Sequence, residues 1–391
     1  MNGLLGGVRV IDLSRVLAGP FAAQALAEMG ADVIKVEPPG GESARGVGPF
    51  IDGRSLYYSS LNTNKRGVVL DLKTDSGRRG LDALLATADI VIENYRPEAA
   101  ARLDLTPAAL AVRHPHLVVV TISSYARGSD REGAASYDLI AQAESGIMSV
   151  TGEEGGAPLR AGVAISDLAA GLWAALGAVA AYAKRVRDGV GAHVEVPLLD
   201  AALSLLSYSA TAALATGDDP GPVGSGHHSV VPYRAFATAD GWVAVAVLDD
   251  KFWPRLCAVL DRGDLAARPD LLTNAGRAAA RSEVDRAIEE AIGRLTTSAA
   301  LQSLAAGGIP HAPINTVLQA LGTSYVTDRG LVRAVGEGEL GYNVVQGPLG
   351  DGRQPRPAPT PGEHTEEVMS EVLAADSPDL AAILGHHRSQ G

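Results

Sequence analysis

Residues 8–37 read VRVIDLSRVLAGPFAAQALAEMGADVIKVE, and the order of apolar, turn and helix-forming residues in them decides the fold class. Val8 to Leu13 is an apolar run around one acid, Pro20 opens the stretch FAAQALAEM, Gly30 closes it, and Asp32 to Glu37 follows as a second apolar run. Proline in a first helical turn and glycine at the stop bracket a helix between two strands. The unit is therefore βαβ, with a right-handed crossover and a parallel pair.

The same alternation continues outward. Gly67 to Leu72 (GVVLDL) reads as a strand, Ser76 to Ala88 as a helix and Asp89 to Tyr95 (DIVIENY) as a strand; Thr106-Pro107 caps a further helix, and Leu117 to Ser123 (LVVVTIS) is strongly β-branched. Valine- and isoleucine-rich runs separated by helices are strands buried on both faces of a parallel sheet. The expected fold class is α/β: an open Rossmann-like parallel sheet in a large domain, plus a smaller α+β domain. Leu198 to Ala215 reads as one apolar helix, and the aperiodic stretch TGDDPGPVGSGHHS after it marks a domain boundary. Downstream, Tyr233 to Val247 reads as a hairpin turning at Ala239-Asp240-Gly241, with helices at Lys251 to Leu260 and Ser282 to Leu295, Ser282 capping the latter. Gly347 to Gly362, rich in proline, suits an extended strap, and Thr365 to Leu373 a short closing helix.

Composition narrows the function classes. With 33 Lys plus Arg against 45 Asp plus Glu, the net charge of −12 argues against nucleic acid or an anionic membrane as partner. One cysteine, Cys257, forms no intrachain disulfide, and the opening MNGLLGGVRVIDLS has no signal-peptide pattern, so the expected location is the cytoplasm. Leu168 to Ala183 is apolar but shorter than a bilayer span and half alanine, and reads as a core helix. The pairs His114/His116, His227/His228 and His386/His387 lack metal-ligand spacing, and no glycine-rich nucleotide fingerprint is present. Neither a metal nor a nucleotide redox cofactor is expected.

One segment carries chemistry: Gly162-Val163-Ala164-Ile165-Ser166-Asp167, leading into the alanine-rich helix. Ser166 or Asp167 falls at the helix cap, where free amides and the macrodipole favour an ionised carboxylate and lower its pKa. Two readings are open at this point. Asp167 is a capping residue only, or it is an ionised nucleophile able to attack a carbonyl.

Eight blocks in order then resemble the family III CoA-transferases (CaiB/BaiF), the formyl-CoA transferase and carnitine CoA-transferase group: RVIDLSRVLAGPFAAQALAEMGADVIKVE, GGESAR, NTNKRGVVLDLK, DIVIENYRP, SYDLIAQAESGIMSVTG, AGVAISDLAAG, GIPHAPINTV and GEHTEE. The resemblance implies that Asp167 is the catalytic residue, attacking an acyl-CoA to give an aspartyl anhydride and then an aspartyl-CoA thioester, with a carboxylic acid as acceptor. It implies coenzyme A binding by Arg15, Val16, Leu17, Ala18, Arg45, Leu70, Asp71, Leu72, Lys73, Asn94, Tyr95, Arg96, Arg102, Tyr137 and Asp138. It also implies an interlocked, ring-threaded homodimer. The large domain would span 1–200, completed by 325–391, with a linker at 201–226, a small domain at 227–322 and a return linker and C-terminal part of the large domain at 323–391.

Related α-methylacyl-CoA racemases carry a histidine where this chain has Tyr137, and a phenol of ordinary pKa near ~10 is a poor base at neutral pH. Transferase is therefore preferred over racemase, and a non-catalytic acyl-CoA-binding protein is the third reading. Leu17 and Pro38 stand where oxalate-using members carry glutamine and arginine, which points away from oxalate. The phrase SYDLIAQAESGIMSVTG resembles members acting on succinate, malate or mesaconate. Gly224 to His228 stands in place of the family's glycine-run lid, His227 and His228 being either acceptor contacts or exposed linker residues.

Overall fold

The computed structural model describes residues 3–336 and 341–388, with the side chains of 386–388, His386 and His387 among them, outside that description. Two compact units emerge. The first comprises Met1–Ile147, Arg160–Ser207 and Thr327–Gly391, and the second Met148–Leu159 and Tyr208–Val326.

The first unit is built on a parallel sheet of β1 (Arg9–Asp12), β2 (Asp32–Glu37), β5 (Arg66–Val69), β6 (Ile90–Glu93), β7 (Val118–Ser123) and β8 (His193–Pro197); a small hairpin of β3 (Phe50–Ile51) and β4 (Arg54–Ser55) stands apart. The strand order is β5-β2-β1-β6-β7-β8. Central β1 pairs in parallel with β2, Ile11 opposite Ile34, and with β6, Ile11 opposite Val91. The chain therefore leaves β1 in one direction and returns to its other side at β6. That reversal opens a crevice beyond the carboxyl ends of β1 and β6, the general location of ligands in open α/β sheets.

Helices cover both faces: α1 (Ala18–Glu28), α2 (Leu56–Leu61), α3 (Asp75–Ala86), α4 (Pro97–Arg102), α5 (Pro107–Arg113), α6 (Asp138–Glu144), α7 (Ile165–Asp188) and α8 (Leu198–Ser204). α5 begins as its sequence predicts, Thr106 Oγ1 accepting the Ala109 amide at 3.3 Å. Small residues let α1 and α7 approach closely, Ala22, Ala23, Ala170, Ala174 and Ala178 sharing one core. A Cβ at Gly171 would lie 2.7 Å from the Ala18 carbonyl oxygen and 2.8 Å from Phe21 Cδ1. This contact brings the N-terminal ends of α1 and α7 to the same region.

Several elements differ from the sequence reading. Strand β8 was not expected, because HVEVP alternates charged and apolar residues at a sheet edge. The run Leu198 to Ala215 is two helices, α8 and α9 (Ser207–Thr216), broken at Ser207, whose φ is 46°. α7 runs for 24 residues and has the length and composition of a membrane-crossing helix. Its buried alanine and glycine positions account for that composition as a core helix.

In the second unit, β9 (Tyr233–Ala237) and β10 (Trp242–Ala246) form the expected antiparallel hairpin, joined by β11 (His311–Pro313). Trp253, Phe236, Leu256 and Ile288 fill its core. The helix Arg281–Ile292 has Ala280 as N-cap with no side-chain cap, so Ser282 lies inside the first turn and does not cap it. The remainder of the first unit adds the hairpin β12 (Val332–Val335) and β13 (Tyr342–Val345), a stretch without regular structure that crosses Gly67, the helix Thr365–Val372 and, beyond the helix expected to close the chain, a further helix Pro378–Arg388.

Candidate active site

The loop after β1 is fixed atom by atom. Asp12 Oδ1 accepts the Ser14 amide at 3.0 Å, Lys35 Nζ donates to the Ser14 carbonyl, and Asn94, just past β6, accepts the Arg15 amide at 3.0 Å and donates to the Arg15 carbonyl at 2.9 Å. Glu42 Oε2 accepts the Val16 amide at 2.8 Å. Asn94 thus ties the two strands together across the point where the strand order reverses.

The second group comes from α6 and α7. Asp138 opens α6; its Oδ1 accepts the Ser166 amide at 3.0 Å, and its Oδ2 accepts from Gln142 at 2.8 Å and Arg160 at 3.3 Å. Gln142 Oε1 in turn accepts the Ala161 amide at 2.9 Å. The anion that meets a free amide in the first turn of α7, that of Ser166, is therefore Asp138, reaching over from α6.

This corrects the reading of the Ser166-Asp167 entrance. The N-cap of α7 is Ala164, with no side-chain cap, and Asp167 is the third helical residue. Its pKa is raised to about 7, first by burial and then by the neighbouring charge of Asp138, instead of being lowered by the helix. Asp167 has no ion-pair or hydrogen-bond partner among the described residues. A carboxylate so placed is a stronger nucleophile than an ordinary one when ionised.

Asp167 faces a cavity of about 430 Å³ lying wholly in the first unit. The structure brings to it the predicted Arg15, Val16, Leu17, Ala18, Asn94, Tyr95, Arg96 and Tyr137. The Arg15 guanidinium sits 5.2 Å from the Tyr95 ring centre, a cation–π distance. The remaining predicted residues lie elsewhere. Leu70 is buried in the core on the other face of the sheet. Asp71 Oδ1 accepts the amide of the exposed Lys73, and Leu72 lines a separate shallow depression beside Arg78 and Leu103. Arg102 is exposed in the last turn of α4. Arg45 is committed to a bidentate pair with Glu37 at 2.8 and 2.6 Å, to the Tyr58 hydroxyl at 2.8 Å and to the Pro359 carbonyl at 2.9 Å.

Two contributions were missed. The carboxyl end of β7 and the residues just past it, Ser123, Ser124, Tyr125 and Arg127, line the cavity, with the Arg127 guanidinium 3.6 Å from buried Glu93 and 3.9 Å from Glu195. Only the strand order, which puts β7 beside β6, places them there. Tyr57, on α2, lies close enough to Asp167, Glu42 and Asp138 that burial first and those charges second push its phenol up to about 12. It remains a neutral donor at any working pH.

In the second unit His227 stacks on Tyr208, ring centres 5.5 Å apart, and Arg281 donates to the carbonyls of His227 and His228 at 2.9 and 2.8 Å. Elsewhere His114 pairs with Asp82 at 2.9 Å. Among the described residues no three His, Cys, Asp or Glu side chains stand together as a metal-ligand set.

The sequence profile of CoA-transferase family III matches residues 5–365. The chain is 37% identical to succinate–glutarate CoA-transferase of Agrobacterium fabrum, over 94% of this chain and 95% of that relative. It is 34% identical to human succinyl-CoA:glutarate CoA-transferase, over 98% and 90% respectively. The crystal structure of a CaiB/BaiF family protein from Brucella suis superposes with a TM-score of 0.85 at 30% identity, covering 95% of this chain and all of that one. With the sheet, the crevice and the relatives' names in agreement along almost its whole length, the chain belongs to CoA-transferase family III and is a CoA-transferase acting on CoA thioesters.

Proposed function

We propose that Asp167 is the nucleophile of this transfer and that the acids exchanged are small dicarboxylates. The Asp167 carboxylate attacks the thioester carbonyl and expels the CoA thiolate, leaving an acyl-aspartyl anhydride. The thiolate then attacks the aspartyl carbonyl, releases the donor acid and forms an aspartyl-CoA thioester. An acceptor carboxylate attacks that thioester and expels the thiolate, which finally takes the new acyl group and regenerates Asp167. The observation that carries this reading is the half-buried, unpaired carboxyl of Asp167 facing the cavity lined by Arg15, Asn94 and Arg96.

Arg15 and Arg96, which line the cavity, provide guanidinium groups for the phosphates of CoA. Tyr57 donates a hydrogen bond to the oxyanion or to the carboxylate of the incoming acid. Dicarboxylate use is supported by relatives named for succinate, glutarate and mesaconate. We assign the working form as a homodimer, supported by the exposed Leu172, Trp173 and Leu176 of α7 and by the absence of any buried residue in α9. We assign its location as the cytoplasm, in keeping with a single, buried cysteine.

The test is Asp167→Asn and Asp167→Ala with succinyl-CoA and a panel of dicarboxylates. Exchange is lost while CoA binding, read by calorimetry, is kept. Turnover retained in either variant removes the mechanism.

A further inference from the structure

The segment GGESAR, residues 40–45, resembles a cofactor-contact block, yet its two charged side chains point to other work. Arg45 holds Glu37 through both carboxylate oxygens, Tyr58 adds a third bond to Glu37 at 3.1 Å, and Glu37 Oε1 accepts the amide of Glu42 at 3.0 Å. Glu42 is itself buried and ion-paired with Lys35 at 2.9 Å, both side chains shielded from water. Its second oxygen reaches the amide of Val16.

Val16 is where a clamp is needed. Its φ is 69°, in the left-handed region that a β-branched residue occupies only under constraint. It lies in the cavity wall between Arg15 and Leu17, and Leu17 begins α1 by accepting the Phe21 amide at 2.8 Å. A buried carboxylate accepting an amide is a strong, directional restraint. With Glu42 in place, the wall is set before any ligand arrives.

The geometry points to Glu42 as a positioning residue for the transfer reaction: held by Lys35 and by the Arg45–Glu37 pair, it fixes Val16 and so shapes the Arg15–Ala18 wall that meets the CoA thioester. This rests on the assignment of the cavity to the thioester. Glu42 touches no reacting atom in this scheme. It acts through the backbone of Val16, and Arg45 acts through Glu37 on Glu42 and not on a phosphate.

The test compares Glu42→Gln, which keeps an oxygen acceptor for the Val16 amide, with Glu42→Ala, which does not. Hydrogen exchange of the peptide spanning residues 14–18, without ligand, accelerates in Glu42→Ala and stays near wild type in Glu42→Gln. The KM for acyl-CoA rises about tenfold in Glu42→Ala, the loss expected of one such bond, and is restored to within a few-fold by Glu42→Gln. The KM for the acceptor acid moves less. A folded Glu42→Ala with wild-type exchange in this peptide, or with a loosened peptide and unchanged KM for acyl-CoA, overturns the proposal. If Glu42→Ala does not fold, the unliganded wild type decides. Protection of this peptide about a hundredfold above that of exposed loops supports the clamp, and exchange at exposed-loop rates overturns it. Turnover surviving in Asp167→Asn would instead remove the cavity assignment and leave the exchange result standing.

Discussion

Replacing Asp167 with Asn should stabilise the protein, and increasingly so as the pH rises. In the unfolded chain this carboxyl ionises near its ordinary 3.8, whereas burial and then Asp138 raise it to about 7 in the fold. Between those values the unfolded state has released a proton that the folded state keeps, so wild-type stability falls as pH rises through that window and the whole loss is present above it. Three pKa units at 1.36 kcal/mol each set an upper bound of about 4 kcal/mol, of which about half falls between pH 5.5 and 8. The carboxyl is partly open to the cavity, and allowing for screening by water leaves about 1 kcal/mol over that interval. Asn is neutral throughout and nearly the same size. Thermal melts of both proteins at those two pH values should show the melting temperature of the Asn variant gaining about 1–2 °C on wild type. A difference that does not change with pH, or an Asn variant that loses ground at pH 8, would refute the reasoning about desolvation.

The other expectations follow from single contacts. Asp138→Asn removes the like charge beside Asp167, so the acid limb of the kcat/KM profile should move to lower pH; a limb that stays put or moves up would show that burial alone sets it. Tyr57→Phe should lower kcat about tenfold with an unchanged melting curve, whereas wild-type kcat would exclude the phenol from the reaction. Gly171→Val places side-chain carbon against the Ala18 carbonyl and should cost about 2–3 kcal/mol in denaturant unfolding, a neutral result contradicting the close approach of α1 and α7. Lys65→Met leaves buried Asp12 with the Ser14 hydrogen bonds and with Lys35, 3.7 Å away, as its remaining cation, and should cost about 3 kcal/mol, again read by denaturant unfolding.

The sheet was legible because its inner strands are almost wholly apolar, and VRVIDL or LVVVTIS has no other place to go. Edge strand β8 escaped notice because HVEVP owes its strand state to pairing with β7 and not to its own hydrophobicity. The position of Asp167 at a helix entrance could be read from the glycine-rich approach and the alanine run. The direction of its pKa could not, since that depends on burial and on Asp138, brought in from 29 residues upstream. Arg45 illustrates the same point with the opposite outcome. A cation in a family block suggests a phosphate, but Glu37 ends the neighbouring strand and captures the guanidinium first. Buried Lys35 and Lys65 carry no local signal either, because only the folded chain surrounds them with Asp12, Glu42 and Asn62.

Chemical capture at the nucleophile puts the account at greatest risk. Enzyme incubated with succinyl-CoA and hydroxylamine, then digested and sequenced by mass spectrometry, should carry a hydroxamate on Asp167 and lose activity in proportion to it. A protein that turns over under these conditions with Asp167 unmodified, or with the hydroxamate on Asp138 or Glu42, would contradict the mechanism.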